Sequence, residues 1–255
     1  MILIAGPCVV EDFDTCAKVA EQLVILQERH SDKLHCIFKS SFDKANRSSI
    51  DSFRSIGLSE SIEILCLIHD KFNLPITTDF HTCEQVKQWG SYFDIIQIPA
   101  LLCRQTDLIT SAALVYATVD TDACIINIKK GQFMSPQDMA GPVEKARVAN
   151  PNCEVWITER GTCFGYNRLV VDFTGFAAMR DHAKPDKLIM DCTHSNNGDR
   201  SLTPLLARAA MDVGSDGLFI ECHPDPDKAK CDGPNSLDLK DLGPLVDGII
   251  AKYTV

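Results

Sequence analysis

Three groups of residues in this chain have the types and spacing to do chemistry. The first is cationic. The segment KSSFDKANRSS at 39–49 carries Lys39, Lys44, Asn46, Arg47 and Ser48, and Lys129, Lys130 and Arg160 follow later. Arginine grips a phosphate or carboxylate through two parallel N–H donors, lysine acts as a point charge, and Ser and Asn add neutral hydrogen bonds. Two such clusters suit two anionic small molecules. A solvated charged loop uses the same residue types, but the density of Ser, Asn and Arg in one short segment favours anion binding. The second group is Cys8, His194, Glu221 and Asp232. A thiolate, an imidazole and two carboxylates suit a borderline divalent ion such as Zn, Fe(II), Mn or Co. Spacing alone leaves the alternative open, because a thiol is also a small apolar filler and a lone His is often a hydrogen-bonded structural residue. The third group is a set of loops: Gly6-Pro7-Cys8, Arg160-Gly161, FGYN at 164–167 and HPDP at 223–226. Proline fixes φ and glycine permits close backbone approach, and ordinary turn chemistry accounts for these loops equally well.

These residues must be positioned by something regular. Short β-branched runs recur at Ile2–Ala5, Cys36–Lys39, Ile76–Asp79, Ile95–Ile98, Cys124–Lys129, Val155–Thr158, Lys187–Asp191 and Gly217–Glu221. Amphipathic stretches separate them, at Cys16–Glu28, Ser59–Phe72, Thr106–Ala117, Pro136–Ala149 and Leu202–Val213. In the last, Leu202, Leu205, Leu206, Ala209 and Val213 fall at helical spacing. Alternating strand and helix predicts parallel strands with right-handed crossovers. Eight such units predict an α/β fold, a single closed (β/α)8 (TIM) barrel over residues 1–255, with its active site at the C-terminal ends of the strands. Those ends carry Cys8, Lys39, Asp79, Gln97, Lys129, Glu159 with Arg160, Asp191 with His194, and Glu221 with His223. A polar cap on one strand is common, whereas a ring of them marks a site.

Bulk properties narrow the class. An apolar share of 45% in 255 residues is enough for a sizeable core. A net charge of −10 disfavours nucleic acid and anionic membrane as partners, so any anion must be held by a local cationic cluster. No apolar run is long enough to span a bilayer. Twelve Cys with no CxxC pair and no secretory leader read as reduced thiols of a cytoplasmic protein. No glycine-rich nucleotide-binding fingerprint follows any strand.

The chain resembles the 3-deoxy-D-manno-octulosonate-8-phosphate synthases, which share a phosphoenolpyruvate–aldose condensing superfamily with the 3-deoxy-D-arabino-heptulosonate-7-phosphate synthases. The stretches that carry the resemblance are IAGPCVVE at 4–11, FKSSFDKANRSS at 38–49, TTDFH at 77–81 and IQIPALLCRQTDL at 96–108. They continue as NIKKGQF at 127–133, ERGTCFGYNRLVVDF at 159–173, DCTH at 191–194 and IECHPDPDKAKCDGPNSL at 220–237. The resemblance implies a homotetrameric barrel that condenses phosphoenolpyruvate with arabinose 5-phosphate, without nucleotide or organic cofactor, in lipopolysaccharide-type biosynthesis. It implies Lys44, Lys129, Arg160 and His194 around phosphoenolpyruvate, with Gln97 nearby. Lys39, Asn46, Arg47 and Ser48 would hold arabinose 5-phosphate, and Asp79 and Asp191 would face the sugar. His194, Lys44 and Asp232 would be the catalytic set, with His194 or Asp232 moving a proton. Cys8 places the chain with metal-dependent members, with Cys8, His194, Glu221 and Asp232 as ligands.

Some features depart from that pattern. CDGP at 231–234 resembles metal-independent members, and the loop 195–201 reads as a shortened lid. FRSIGL at 53–58 lacks the Gly-Pro-Gly often found there. Rival readings are a synthase using erythrose 4-phosphate, one taking an unphosphorylated sugar, and a non-catalytic ligand-binding barrel. Ala45-Asn46-Arg47 opposes the first, Arg47 with Ser48 the second, and the polar strand ends the third.

Overall fold

A computed structural model describes residues 1–47, 49–115, 124–165 and 167–253. Eight parallel strands form its centre: β1 (Ile2–Gly6), β2 (His35–Lys39), β3 (Ile76–Asp79), β4 (Ile95–Ile98), β5 (Cys124–Lys129), β6 (Cys153–Glu159), β7 (Lys187–Asp191) and β8 (Gly217–His223). Each pairs with the next in chain order. The barrel closes where β8 pairs with β1, from Ile2 opposite Gly217 to Gly6 opposite Glu221. The eight helices among the described residues are α1 (Phe13–His30), α2 (Leu58–Phe72), α3 (Cys83–Trp89), α4 (Thr106–Val115), α5 (Ala140–Ala149), α6 (Gly175–His182), α7 (Thr203–Asp212) and α8 (Leu239–Tyr253). The (β/α)8 barrel expected from the alternating pattern is the fold. All eight expected strands are present, with β1, β2, β6 and β8 extended by one or two residues at an end. The helix expected over Thr106–Ala117 is described to Val115, and residues 116–123 lie outside the described residues.

The helices form for local reasons. Asp12 caps α1 by accepting from the Thr15 amide at 2.7 Å, Asp14 sits in the first turn, and Arg29 and His30 sit in the last. Cys16, Val19, Ala20, Leu23 and Leu26 recur at three- and four-residue spacing and are all buried. In α3, Thr82 and Gln85 form a reciprocal capping box.

Side-chain parity places the site. Ile4, Ile37, Ile95, Trp156, Ile189 and Phe219 form a separate apolar cluster filling the barrel, with Ile2 and Ile125 against it. Their strand neighbours, such as Leu3, Phe38, Ile96, Ile126, Leu188 and Leu218, belong to the larger core between barrel and helices. Two residues after most of these interior positions stands a polar group: Ile37 precedes Lys39, Ile95 precedes Gln97, Trp156 precedes Thr158, Ile189 precedes Asp191 and Phe219 precedes Glu221. A strand's period of two therefore stacks a polar layer directly on an apolar one.

Close approach at the top of β1 requires glycine. A Cβ at Gly6 would stand 1.8 Å from the Lys39 carbonyl oxygen. Substituting Gly6→Ala is expected to destabilise the chain by about 3 kcal/mol, read as a lower midpoint in urea unfolding with the slope unchanged.

Candidate active site

A cavity of about 780 Å³ opens above the polar layer. Lys39 of β2 and Lys129 of β5 rise into it from the strands, both almost fully buried. Lys39 donates to Glu221 Oε1 at 3.1 Å, Ser41 Oγ at 3.0 Å and the Cys8 carbonyl at 3.1 Å. Burial would lower its pKa, but Glu221 and Asp79 outweigh that and raise it. Lys129 bonds to Asp191, and its ammonium lies 3.3 Å above the centre of the Phe219 ring. Here desolvation wins over the attraction of Asp191, and the pKa falls to about 8.

The loops complete the cation set. Lys44, Arg47, Arg160 and Lys230 line the same cavity. Nε of Arg47 and Nη1 of Arg160 are buried with no hydrogen-bond partner among the described residues. Buried guanidinium nitrogens without partners are costly, because their hydration is lost with nothing in exchange. An anion bound at each would remove that cost. Asn46, Gln97, Asp79 and His194 also line the cavity. Ser48 lies outside the described residues.

A second set of contacts gathers the candidate metal ligands. Lys44 Nζ donates to Cys8 Sγ at 3.0 Å and to Asp232 Oδ2 at 2.7 Å, and the Cys8 thiol lies 3.3 Å from the same oxygen. Burial would raise Asp232, but Lys44 and His194 hold it at about 2. His194, Glu221 and Asp232 place one donor atom each within 4.8 Å of one another, as do Cys8, Cys231 and Asp232. Asp232 thus joins two groups that together contain all four expected ligands. Asp191 accepts from His194 Nδ1 at 2.8 Å, which leaves Nε2 as the free ring nitrogen, 3.9 Å from Asp232 Oδ2. Glu221 Oε2 is buried with no hydrogen-bond partner among the described residues.

Four residues of the expected ring, Cys8, Glu159, Asp191 and His223, do not line the cavity. Asp191 is fully buried beneath the cavity, engaged with Lys129, His194 and the amides of Thr193 and His194. Lys130, grouped with Lys129 in the cationic cluster, faces the other side of β5. There it pairs with Glu159 Oε2 at 3.2 Å and Thr162 Oγ1 at 3.0 Å. Glu159 also accepts from the Arg160 and Gly161 amides at 2.9 and 2.6 Å, which sets the turn presenting Arg160.

The family model described as the DAHP synthetase I family matches residues 1–248, a span that contains every barrel strand. The chain belongs to the DAHP synthetase I family. A protein of Desulfosudis oleivorans called 2-dehydro-3-deoxyphosphooctonate aldolase is 46% identical over 98% of this chain and 90% of its own length. Proteins of the same name from Nitratidesulfovibrio vulgaris and Geotalea daltonii are each 44% identical, over 99% and 96% of this chain and 92% and 90% of theirs. The family likeness therefore covers the whole cavity and not one motif of it.

Sequence reasoning missed several lining residues, among them His81, Lys230 and Cys231. His81 Nε2 lies 3.0 Å from Asp79 Oδ2, and Asp79 also bonds to Ser41. Burial would raise Asp79 and lower His81, but their mutual attraction wins and both stay charged more readily. Only Phe80 separates them, so both lie within the TTDFH segment. Lys230 was missed because it lies beyond the end of β8. Cys231 was read only as part of CDGP.

The loop after β7, expected to be a short lid, is tied to two neighbouring segments by adjacent residues. Asn197, with φ of 58°, accepts from the Leu169 amide at 2.6 Å and donates to the carbonyls of Leu169 and Ser195 at 3.1 and 2.9 Å. Asn196 donates to the Asn235 carbonyl at 2.8 Å. The first clasp holds the hairpin of Thr162–Cys163 and Leu169–Val170 that follows Arg160, and the second holds the turn that follows Asp232. Asn197→Gly keeps the left-handed backbone and removes only the clasp. Amide exchange at Leu169 is expected to speed about tenfold while the thermal midpoint stays nearly constant, as read by hydrogen-exchange mass spectrometry.

Proposed function

We propose that residues 1–255 form one catalytic barrel that condenses phosphoenolpyruvate with D-arabinose 5-phosphate and water, giving 3-deoxy-D-manno-octulosonate 8-phosphate and phosphate. The observation that carries this reading is the pair of buried, unpartnered guanidinium nitrogens of Arg47 and Arg160 in one cavity. Each calls for its own anion, and the family relation names the class of reaction in which two anions meet.

In this reading Arg160, Lys129 and Lys44 hold phosphoenolpyruvate, with Gln97 and His194 beside it. Arg47, Asn46, Ser48 and Lys39 hold arabinose 5-phosphate, with Asp79 toward its hydroxyls. C3 of the enol phosphate attacks the aldehyde carbon and forms the new C–C bond. The aldehyde oxygen takes a proton, and C2 becomes cationic. Water adds at C2 and gives up a proton, and the resulting hemiketal phosphate expels phosphate by C–O cleavage. Holding two mutually repelling anions at bonding distance supplies the orientation contribution, about 7 kcal/mol or more in well-aligned systems. Fixed ammoniums over a dry floor stabilise the developing alkoxide. His194 or Asp232, 3.9 Å apart, moves the proton, with Asp191 fixing the imidazole tautomer.

The donors also suit a divalent cation, because a thiol on one side and an imidazole and a carboxylate on the other each gather with Asp232, and one carboxylate oxygen of Glu221 is buried without a partner among the described residues. Cys8, His194, Glu221 and Asp232 would hold Zn, Fe(II), Mn or Co, which supplies Lewis-acid polarisation of a bound oxygen. No helix among the described residues is long and apolar enough to cross a membrane. We place the enzyme in the cytoplasm, as a homotetramer, with exposed Leu101 and Phe133 available for contact with another copy.

The test is phosphate release from phosphoenolpyruvate with arabinose 5-phosphate and, separately, erythrose 4-phosphate, before and after chelation and with Mn(II) restored. Release with the five-carbon sugar alone, lost on chelation and regained with metal, is expected. Release only with erythrose 4-phosphate would identify the rival synthase, release with neither would favour a binding barrel, and chelator-resistant release would remove the metal. A pH prediction follows from Lys129. Its ammonium is present below about 8 and lost above it, so kcat/KM for phosphoenolpyruvate should fall as pH rises through that value. Lys129→Arg stays charged and should abolish this alkaline limb even where its rate is lower.

A further inference from the structure

Cys231 stands beside Asp232, outside the four ligands expected from the family. Its surroundings bring it back. Cys8, Cys231 and Asp232 each place a ligating atom within 4.8 Å of the other two, and Cys231 lines the cavity. Neighbouring residues in extended chain point to opposite sides, so two of them can converge on one thiol only if the backbone turns. Asp232 makes that turn with φ of 49°, a left-handed conformation that costs a non-glycine residue about 1 kcal/mol or more.

The segment is held in this shape from both sides. Before the pair, the Lys230 amide donates to Glu11 Oε1 at 2.7 Å, and the His223 ring lies 3.7 Å from the other Glu11 oxygen. After it, the Asn235 and Ser236 amides donate to the Asp232 carbonyl at 2.9 and 3.0 Å. Gly233 packs where a Cβ would stand 2.4 Å from the Pro226 carbonyl oxygen. A strained turn, anchored at each end, aims two adjacent donors at the Cys8 sulfur.

We infer that Cys231 is a second thiolate ligand beside Cys8, His194, Glu221 and Asp232, making the metal centre of this chain a two-sulfur site. The inference rests on the metal reading under the proposed function. Two thiolates favour thiophilic ions over hard ones. Lys44, 3.0 Å from Cys8 Sγ and 2.7 Å from Asp232, supplies a positive charge beside the added negative one. The site would therefore discriminate for Zn(II) or Cd(II) against Mn(II) more strongly than one with a single sulfur.

The direct test is zinc K-edge absorption fine structure on the unvaried, zinc-loaded chain. Two sulfur scatterers per zinc at about 2.3 Å are expected, and one would overturn the inference while leaving the metal reading intact. Failure to take up stoichiometric zinc would overturn both. In parallel, Cys231→Ser should weaken Cd(II) binding by about tenfold or more and lower the sulfur-to-Co(II) charge-transfer absorbance, with Mn(II) affinity little changed. Equal Cd(II) affinity and equal absorbance in the variant would contradict the assignment.

Discussion

Charge buried at the top of the barrel is the constraint on which this structure turns. Lys39, Lys129, Lys130, Glu159, Asp191 and Glu221 are each at most 5% exposed. A buried charge is tolerable only with a partner, and removing one member of such a pair costs about 3–5 kcal/mol. The pairs span the barrel: Lys39 of β2 meets Glu221 of β8 past β1, and Lys129 of β5 meets Asp191 of β7 past β6. Strand positions that would separate these partners are therefore penalised twice, once in backbone pairing and once in electrostatics. Because the partners are already engaged, the buried cationic nitrogens left without a partner among the described residues are those of the loops, on Arg47 and Arg160.

The apolar layer beneath gives these charges their strength. Ile4, Ile37, Ile95, Trp156, Ile189 and Phe219 fill the barrel below the cavity, and the Phe219 ring lies under both Lys129 and Lys39. A floor without water lowers the local dielectric, so each charge acts further than it would in solvent. It also explains why two lysines a few residues of arc apart titrate differently. Lys39 has Glu221 and Asp79 to offset its burial, whereas Lys129 lies directly on the ring and desolvation prevails. A protein of net charge −10 can in this way hold a strongly cationic pocket.

Much of this was legible in the residues. β-branched runs separated by amphipathic stretches are produced by the same burial that closes the barrel, so eight strands could be placed to within a few residues. The ring of polar strand ends was legible for the same reason, since Lys39, Gln97, Lys129, Asp191 and Glu221 each stand two residues beyond an interior position. Lys130 shows the rule misapplied: adjacent residues on a strand face opposite ways, and a pair of lysines cannot both enter one pocket. The hairpin after Arg160 was not legible, because its strands are two residues each and are held by Asn197 from a distant loop. Cys231 was not legible either, because its approach to Cys8 depends on the left-handed turn at Asp232, and no pattern of residue types announces a single dihedral.

The central claim is that one cavity holds two anions at once on separate cationic groups. Titration calorimetry with phosphoenolpyruvate, alone and with saturating arabinitol 5-phosphate, which lacks the reactive aldehyde, tests it directly. The account predicts one phosphoenolpyruvate bound per chain in both titrations, with the sugar phosphate still in place. Loss of phosphoenolpyruvate binding once arabinitol 5-phosphate is bound would mean that the two share a single anion site, and would contradict it.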